Sequence, residues 1–327
     1  MITVTGSLAF DYIMDYPGVF SEHIMPDKIH TLNLSFLVNT LNKQYGGTAG
    51  NIAYNLALLK SPVSIVGAVG HDFSQYGEFL KNAGVDISKI KIIEDEITSS
   101  AYIMTDSSDN QITAFYPGTM TKNSSLSIDG NPDLVVISPN DPKAMVKFAD
   151  ECKSRKIQYM LDPGMQLPSL DKNDLKNMIN GATILIGNDY EIALLKEKTS
   201  LDYADLLSQV QVLITTLGSK GSIIQKEEQM IDVKSAKPNE VLDPTGAGDA
   251  YRAGFLAGYI KKFDLKVCGQ MGSVASCFAI EKYGTTSHKF TVEEFRERYK
   301  QNFGEMLPDL SLRGSGEAGD EAIFHIK

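Results

Sequence analysis

The side chains best placed to do chemistry fall in one short stretch. It is Val241-Leu242-Asp243-Pro244-Thr245-Gly246-Ala247-Gly248-Asp249, followed by Ala250-Tyr251-Arg252-Ala253-Gly254-Phe255. Gly246 and Gly248 let the backbone approach a ligand with no Cβ in the way. The spacing predicts a helix from Asp249 to Lys262, with Ala250, Ala253, Gly254 and Ala257 on one close-packing face. Unpaired N–H groups and the dipole at such a helix start make an anion site suited to a phosphoryl group. A carboxylate there repels a resting phosphate, so Asp249 needs another task, such as taking the proton from an attacking hydroxyl. A tight Gly-Ala-Gly turn with Asp249 as the helix N-cap is the competing reading. Tyr251 stands where a GxGxxG fingerprint has its last glycine, and no GxxxxGK[ST] occurs, so dinucleotide and P-loop readings are both poor.

Three other groups have useful spacing. In Gly46-Gly47-Thr48-Ala49-Gly50-Asn51-Ile52-Ala53, two glycines permit backbone contact with hydroxyls, and the Asn51 amide both donates and accepts. The same residues also read as a plain strand-to-helix turn, with Asn51 opening a helix from 51 to 59. Asn188 and Glu191 lie one helical turn apart, hence on one face, and such an all-oxygen pair suits Mg²⁺ held through water and phosphate. Taken alone, the pair reads equally as a helix cap beside a solvated carboxylate. Asp11, after the apolar run from Ile2 to Ser7, reads by itself as an ordinary loop carboxylate.

These groups need a frame. Beyond about residue 130, short apolar runs alternate with helical patterns. Leu134–Ile137, Ile157–Leu161, Thr183–Ile186 and Val212–Thr216 read as strands. Pro142–Lys156, Leu175–Ile179, Glu191–Glu197 and Leu265–Lys282 read as helices. Strands joined by crossover helices imply a mostly parallel α/β sheet covered on both faces, with ligands at the carboxyl ends of its strands. The first 120 residues differ. The stretch from Phe10 to Gln44 has no clean helical period, and Ala101–Thr105 and Gln111–Phe115 flank a turn-rich Asp106-Ser107-Ser108-Asp109-Asn110. That predicts a hairpin: a small β lid built from about 10–45 and 98–120, or else an ordinary antiparallel edge. Residues 311–327 read as a flexible tail.

Composition removes some functions. Hydrophobic residues are 43% and charged residues 22% of 327, ordinary for a folded chain. With 31 basic against 41 acidic residues the net charge is −10, which disfavours a nucleic-acid partner. Cys152, Cys268 and Cys277 form no CxxC, and the five histidines show no zinc spacing. The N-terminus lacks the basic region of a signal peptide, and no apolar run approaches the roughly 18 residues that span a bilayer. The expectation is a soluble cytoplasmic protein with no membrane partner.

Asp243-x-Thr245-Gly246-Ala247-Gly248-Asp249 resembles the phosphotransfer motif of the ribokinase (PfkB-type) carbohydrate and nucleoside kinases. Three more elements follow that family's order. Gly46-Gly47…Asn51 resembles its acceptor-contacting stretch, Asn188-Asp189-Tyr190-Glu191 its magnesium-organising Asn-x-x-Glu, and Thr215-Thr216-Leu217-Gly218-Ser219-Lys220-Gly221 its nucleotide-bordering turn. The resemblance implies one ribokinase-like domain over 1–327 and an ATP- and Mg²⁺-dependent kinase. It implies Asp249 as base and the Gly246, Ala247 and Gly248 amides as the anion hole. Asp11, Gly46, Gly47 and Asn51 would hold the acceptor. Asn188, Thr216, Gly218, Gly221, Thr245 and Gly284 would border the nucleotide, with Glu191 and Asn188 acting on magnesium indirectly. A monovalent cation and a homodimer stay open.

Within the family the chain looks more like the bacterial adenosine kinases. The matching stretches are Asp243-Pro244-Thr245, Tyr251-Arg252-Ala253-Gly254-Phe255, the segment from His23-Ile24-Met25-Pro26-Asp27 through Val38, and Ala114-Phe115-Tyr116-Pro117-Gly118-Thr119-Met120. The sugar kinases' usual Gly-Gly-Lys-Gly-Ala-Asn is replaced here by Gly46-Gly47-Thr48-Ala49-Gly50-Asn51. A purine needs an apolar slot, and Tyr102 and Phe115, then Phe36, are candidates to line it, unless they simply fill the space between lid and sheet. The expected reaction is adenosine to AMP at the ribose 5′-hydroxyl. A ribokinase- or fructokinase-like sugar kinase is the rival, and a catalytically silent nucleotide-binding regulator a more distant one, since Asp249 is present. Arg252 either steadies the phosphate or ties down the loop.

Overall fold

In the computed structural model, which describes residues 1–23, 33–108 and 110–310, the apolar runs of the sequence line up as neighbouring strands of one sheet. Its centre is β1 (Ile2–Thr5), every residue of which is buried. The other strands are numbered along the chain. The small-sheet strands β2 (Ala9–Asp15) and β3 (Thr40–Gly46) precede β4 (Val63–Gly70) and β5 (Ile90–Ile93) of the main sheet. The pair β6 (Ser99–Thr105) and β7 (Gln111–Tyr116) is followed by β8 (Leu134–Ile137), β9 (Tyr159–Leu161), β10 (Ile184–Asn188), β11 (Val212–Thr216), β12 (Ser222–Lys226) and β13 (Gln229–Val233). The main sheet runs β13-β12-β11-β10-β9-β8-β1-β4-β5. Its pairings from β5 through β11 are parallel. The two pairings beyond β11 are antiparallel, an edge hairpin that the sequence reading did not anticipate.

Helices cover both faces because the strands are apolar on both faces. Val4, Ile65, Val136 and Ile214 join one core with α1 (Thr48–Leu58), α2 (Ser74–Ala83), α7 (Ala247–Tyr259), α8 (Leu265–Ile280) and α9 (Val292–Phe303). Val135, Ile137, Leu185 and Leu213 point the other way, into a second core with α3 (Pro142–Arg155), α4 (Lys172–Ile179), α5 (Asp189–Thr199) and α6 (Tyr203–Gln209). Neighbours such as Val135 and Val136 therefore bury on opposite sides, as the two-residue strand period requires. Helices α2, α6 and α9 were not foreseen from the sequence. The residues 24–32 of the adenosine-kinase-like segment, and the tail 311–327, lie outside the described residues.

The two ends of the segment 10–45 are the strands β2 and β3. β2 and β3 pair antiparallel, β2 pairs parallel with β6, and β6 pairs antiparallel with β7, giving a separate sheet in the order β3-β2-β6-β7. The hairpin is therefore part of a second sheet and not an edge of the first. The chain enters this sheet through Ser7-Leu8 and leaves through Gly47, and the two crossings touch. Gly47 has φ of 85°, and a Cβ there would stand 2.5 Å from the Ser7 carbonyl oxygen and 2.7 Å from the Ala9 nitrogen. The Ser7 hydroxyl accepts the Thr48 N–H at 3.0 Å, starting α1 at this crossing. Gly47→Ala is expected to destabilise the protein by at least about 1–3 kcal/mol, since neither the backbone angle nor the neighbouring carbonyl accommodates a methyl group. Urea denaturation measures this, and unchanged stability would mean that the crossing relaxes freely.

Candidate active site

The helix α7 begins two residues earlier than the sequence spacing suggests. Gly246, with φ of 80°, is its N-cap, so Ala247 and Gly248 are the first two helical residues and Asp249 the third. Asp249 is thus not the N-cap, and that competing reading falls. The first N–H groups of a helix lack intrahelical acceptors; here the Ala247 N–H turns back to the Pro244 carbonyl at 3.3 Å, and the Gly248 N–H lies beside it at the positive end of the dipole. Asp249 leans across to α1, where Oδ2 accepts a hydrogen bond from Asn51 Nδ2 at 2.8 Å. Helix α1 also starts early, at Thr48, which puts Asn51 one turn inside it. Asn51 is buried, and its Oδ1 has no hydrogen-bond partner among the described residues, which leaves a buried acceptor open beside Asp249.

Asp11, on β2, lies over Gly46, where a Cβ would stand 2.1 Å from Asp11 Oδ2. Burial pushes the Asp11 carboxyl up to about 7, with the negative charges of Asp249 and Asp243 adding to the effect. Asp249 is pushed up to about 6, chiefly by burial, against the opposing pull of Arg252 and the Asn51 hydrogen bond. Asp243 closes the loop behind the turn: Oδ1 accepts the Thr245 N–H at 2.9 Å and Oδ2 the Gly284 N–H at 2.8 Å. A Cβ on Gly284 would overlap the Gln44 amide of β3, and the Thr285 and Thr286 hydroxyls donate to the Tyr45 carbonyl at 3.0 and 3.2 Å. The 284–286 loop therefore ties the base of the small sheet to the Gly246 turn.

The residues on β10 and β11 lie where a parallel sheet presents ligands. Asn188 and Thr216 end adjacent strands and pair in register. Asn188 caps α5 with its side chain accepting the Glu191 N–H at 2.8 Å, and Glu191 Oε2 returns the bond to the Asn188 N–H at 2.8 Å. Each thus spends one oxygen on a capping box. Glu191 still acts electrostatically on Asp249. Gly218 has open space around it, whereas Gly221 is a glycine because a Cβ would meet the Val233 carbonyl oxygen at 2.0 Å. Packing with β13 is thus enough to account for Gly221. Thr245 is exposed on the loop leading into α7.

Tyr102 and Phe115 do not share a face, and the proposed slot is corrected accordingly. Asp11, Ala101 and Phe115 are register neighbours across the small sheet, as are Tyr12, Tyr102 and Ala114. Register neighbours point the same way, so Phe115 lies on the Asp11 face and Tyr102 on the opposite one. There Tyr102 stacks on Tyr12, ring centroids 5.0 Å apart. Phe36 joins a cluster with Tyr16, Phe20 and His23. Ile13 and Ile103, two residues along from Asp11 and Ala101, continue the apolar stripe with Phe115. The two-residue period counted from Asp11 would have found them.

The sequence reading also passed over Asp162. It follows β9 in Asp162-Pro163-Gly164 and is 1% exposed. Arg252, one turn into α7 from Asp249, donates from Nη2 to Asp162 Oδ1 at 2.8 Å, with Nε 2.5 Å from Oδ2. Its guanidinium is the cation beside Asp249. The signal was an aspartate at the carboxyl end of a strand, the place where such sheets put ligand-facing groups.

The arrangement brings a buried carboxylate, a helix start and hydroxyl- or amide-bearing side chains together at the carboxyl ends of a parallel sheet. The sequence profile of the pfkB family of carbohydrate kinases matches residues 4–291. A nucleoside kinase from Methanocaldococcus jannaschii is 34% identical over 304 residues, 92% of this chain and 97% of its own. A nucleoside kinase from Burkholderia thailandensis, solved in complex with inosine, is 33% identical with a TM-score of 0.86, covering 94% of this chain and 99% of that one. A ribokinase from Thermotoga maritima shares the fold at 19% identity and a TM-score of 0.76, over 92% and 99% of the two chains. By the profile match over residues 4–291 and the 34% identity across nearly the whole chain, this chain belongs to the pfkB family of carbohydrate kinases, phosphotransferases with an alcohol group as acceptor.

Proposed function

We propose that the protein is an ATP-dependent nucleoside kinase, with adenosine as its foremost acceptor and the ribose 5′-hydroxyl as the attacking group. The observation that carries this is Asp249, third residue of α7, held by Asn51 at 2.8 Å beside helix-start amides. Asp249 takes the hydroxyl proton as the oxygen attacks phosphorus, and the Gly246–Gly248 amides steady the charge on the transferring oxygens. Asp11 accepts from the vicinal ribose hydroxyls and Asn51 Oδ1 from a further hydroxyl, which fixes the reacting oxygen. Ile13, Ile103 and Phe115, on the Asp11 face, supply the apolar surface that a base needs and a free sugar does not. The identity to proteins named nucleoside kinases, one of them solved with inosine, supports the same choice. The small sheet acts as a lid that excludes water. The buried, unpaired cysteines fit a reducing compartment such as the cytoplasm.

Magnesium fits the donor set in one way. Asn188 and Glu191 are committed to each other through one oxygen apiece, and no group of three or more acidic, histidine or cysteine side chains among the described residues is arranged to hold an ion. The residues that would hold Mg²⁺ are therefore Glu191 and Asn188, through water and the nucleotide's phosphates. When bound, the ion supplies charge neutralisation on the phosphates.

Two measurements test the proposal. In an acceptor panel, adenosine is expected to be turned over, with ribose and fructose below about one hundredth of its kcat/KM. Faster inosine than adenosine turnover would reject adenosine but keep a nucleoside kinase; turnover confined to free sugars would reject both. Asp249→Asn should lower kcat by about 10²–10⁴-fold with ATP binding retained.

The raised carboxyls also set a pH dependence. Both must be ionised to accept protons or hydroxyls, so kcat/KM should fall as pH drops through about 7 and then about 6. The ligand-free protein should behave oppositely in stability. Relative to the ordinary value of 3.8, the folded state holds these protons more tightly, so stability declines as pH rises from about 4 to about 7 and is level above. A kcat/KM profile that stays flat down to about pH 5 would remove Asp249 as base.

A further inference from the structure

The Arg252–Asp162 pair sits beside the Gly246 turn; Asp162 has no role assigned above, and for Arg252 the choice between phosphate and loop is still open. Arg252 is 8% and Asp162 1% exposed, so two charges have been taken out of water beside the Gly246 turn. A pair of apolar side chains commonly stabilises such a position as well or better, so a buried ion pair calls for a further reason. The geometry gives one. Two guanidinium nitrogens, Nε and Nη2, face Asp162, while Nη1 lies against Gly248, 2.7 Å from where a Cβ on that residue would stand. Gly248 is a helix-start residue whose N–H lacks an intrahelical acceptor, so the Nη1 edge and that amide border the same space.

The charge balance makes a cation there necessary. Asp249 is acted on by Asp162 and Glu191, both of which raise it, and by Arg252, which lowers it. A phosphoryl group entering this space brings further negative charge. Burial alone would favour the neutral form of Arg252; Asp162 and Asp249 outweigh it and keep the guanidinium charged. Without Asp162 the guanidinium would be left to Asp249, the other aspartate that acts on it, and would occupy that carboxylate. Asp162 prevents that by accepting a hydrogen bond from Nη2 and holding Nε in ion-pair contact.

We propose that Asp162 is a positioning residue for phosphoryl transfer, holding the Arg252 guanidinium beside Gly248 so that its Nη1 edge meets an oxygen of the migrating phosphoryl group. No bond to either residue is made or broken; Arg252 adds a charge-assisted donor to those of the backbone, strongest as charge spreads over the transferring oxygens. The inference rests on phosphoryl transfer taking place at the Gly246–Asp249 turn.

Asp162→Asn keeps the shape and an acceptor oxygen but removes the charge. It is expected to lower kcat by about 10–100-fold while leaving the KM of the acceptor within about threefold, a split that a general loss of folding does not produce. Because Asp162 acts through Arg252, the double variant Asp162→Asn/Arg252→Lys should be no slower than Arg252→Lys alone, within about twofold. Wild-type kcat in Asp162→Asn, or losses that multiply in the double variant, would overturn the proposal. Should Asp162→Asn fail to fold, Arg252→Ala assayed with added guanidinium decides. Rescue of about tenfold or more supports the role, more so if Arg252→Ala/Asp162→Glu is not rescued, and absence of rescue overturns it. Asp249→Asn is assayed alongside. If it keeps its turnover, the site reading itself fails; if it is silent while Asp162→Asn is fully active, only this inference falls.

Discussion

Negative charge gathered into one low-dielectric space is the constraint around which this molecule is arranged. Asp11, Asp162, Glu191 and Asp249 come from four separate elements, and each of the two free carboxyls at the reacting end feels other carboxylates. Left to Coulomb repulsion and desolvation, such a cluster would stay protonated and catalyse nothing. Three features offset it. They are the positive end of α7, the Asn51 amide that donates to Asp249, and the buried guanidinium of Arg252. The balance leaves Asp249 near 6 and Asp11 near 7, poised so that each is ionised at neutral pH or becomes so with little cost.

The fold supplies this balance through topology. A parallel sheet puts the carboxyl ends of β9, β10 and β11 on one rim, and that rim receives Asp162, Asn188 and Thr216 in succession. Helix α7, packed against α8, brings its N-terminus to the same rim. The second sheet grows from the crossing at Ser7 and Gly47, so Asp11 is carried over the rim by the very strands that form the cover. The helices α1 and α7 therefore hold Asn51 and Asp249, while Asp11 sits on the smaller sheet, joined to the rest by the crossing and by the 284–286 loop. That division suits a kinase, which must exclude water during transfer and open to release product.

Much of this was legible in the residue order because it depends on neighbours in the chain. Runs such as Leu134–Ile137 and Val212–Thr216 announce buried strands by composition alone, and both match the observed strands residue for residue. The Gly-Ala-Gly-Asp stretch announces a helix start with free amides, although its boundary shifted because Ala247 and Gly248 are themselves helical. The hairpin from Ser99 to Tyr116 was legible from its turn residues. The edge strands β12 and β13 were missed because their turn, Glu227-Glu228, is charged and lacks glycine, with Glu227 itself taking a positive φ of 53°.

What the chain order alone determined, then, is the parallel core strands and crossover helices such as β8, β11 and α3, the β6–β7 hairpin and the chemistry available at the Gly246 turn, all of which follow from local periodicity and backbone preference. The tertiary structure decided which groups meet. Asn51 and Asp249 are 198 residues apart and Asp162 and Arg252 are 90 apart, so neither bond has any local signal. The same holds for Tyr102. Its side of the small sheet relative to Asp11 depends on the register between β2 and β6, and a shift of one residue would have turned it toward Asp11. Burial and Coulomb energy depend on distance in space, which the order of residues does not contain until the sheet and its crossings are built.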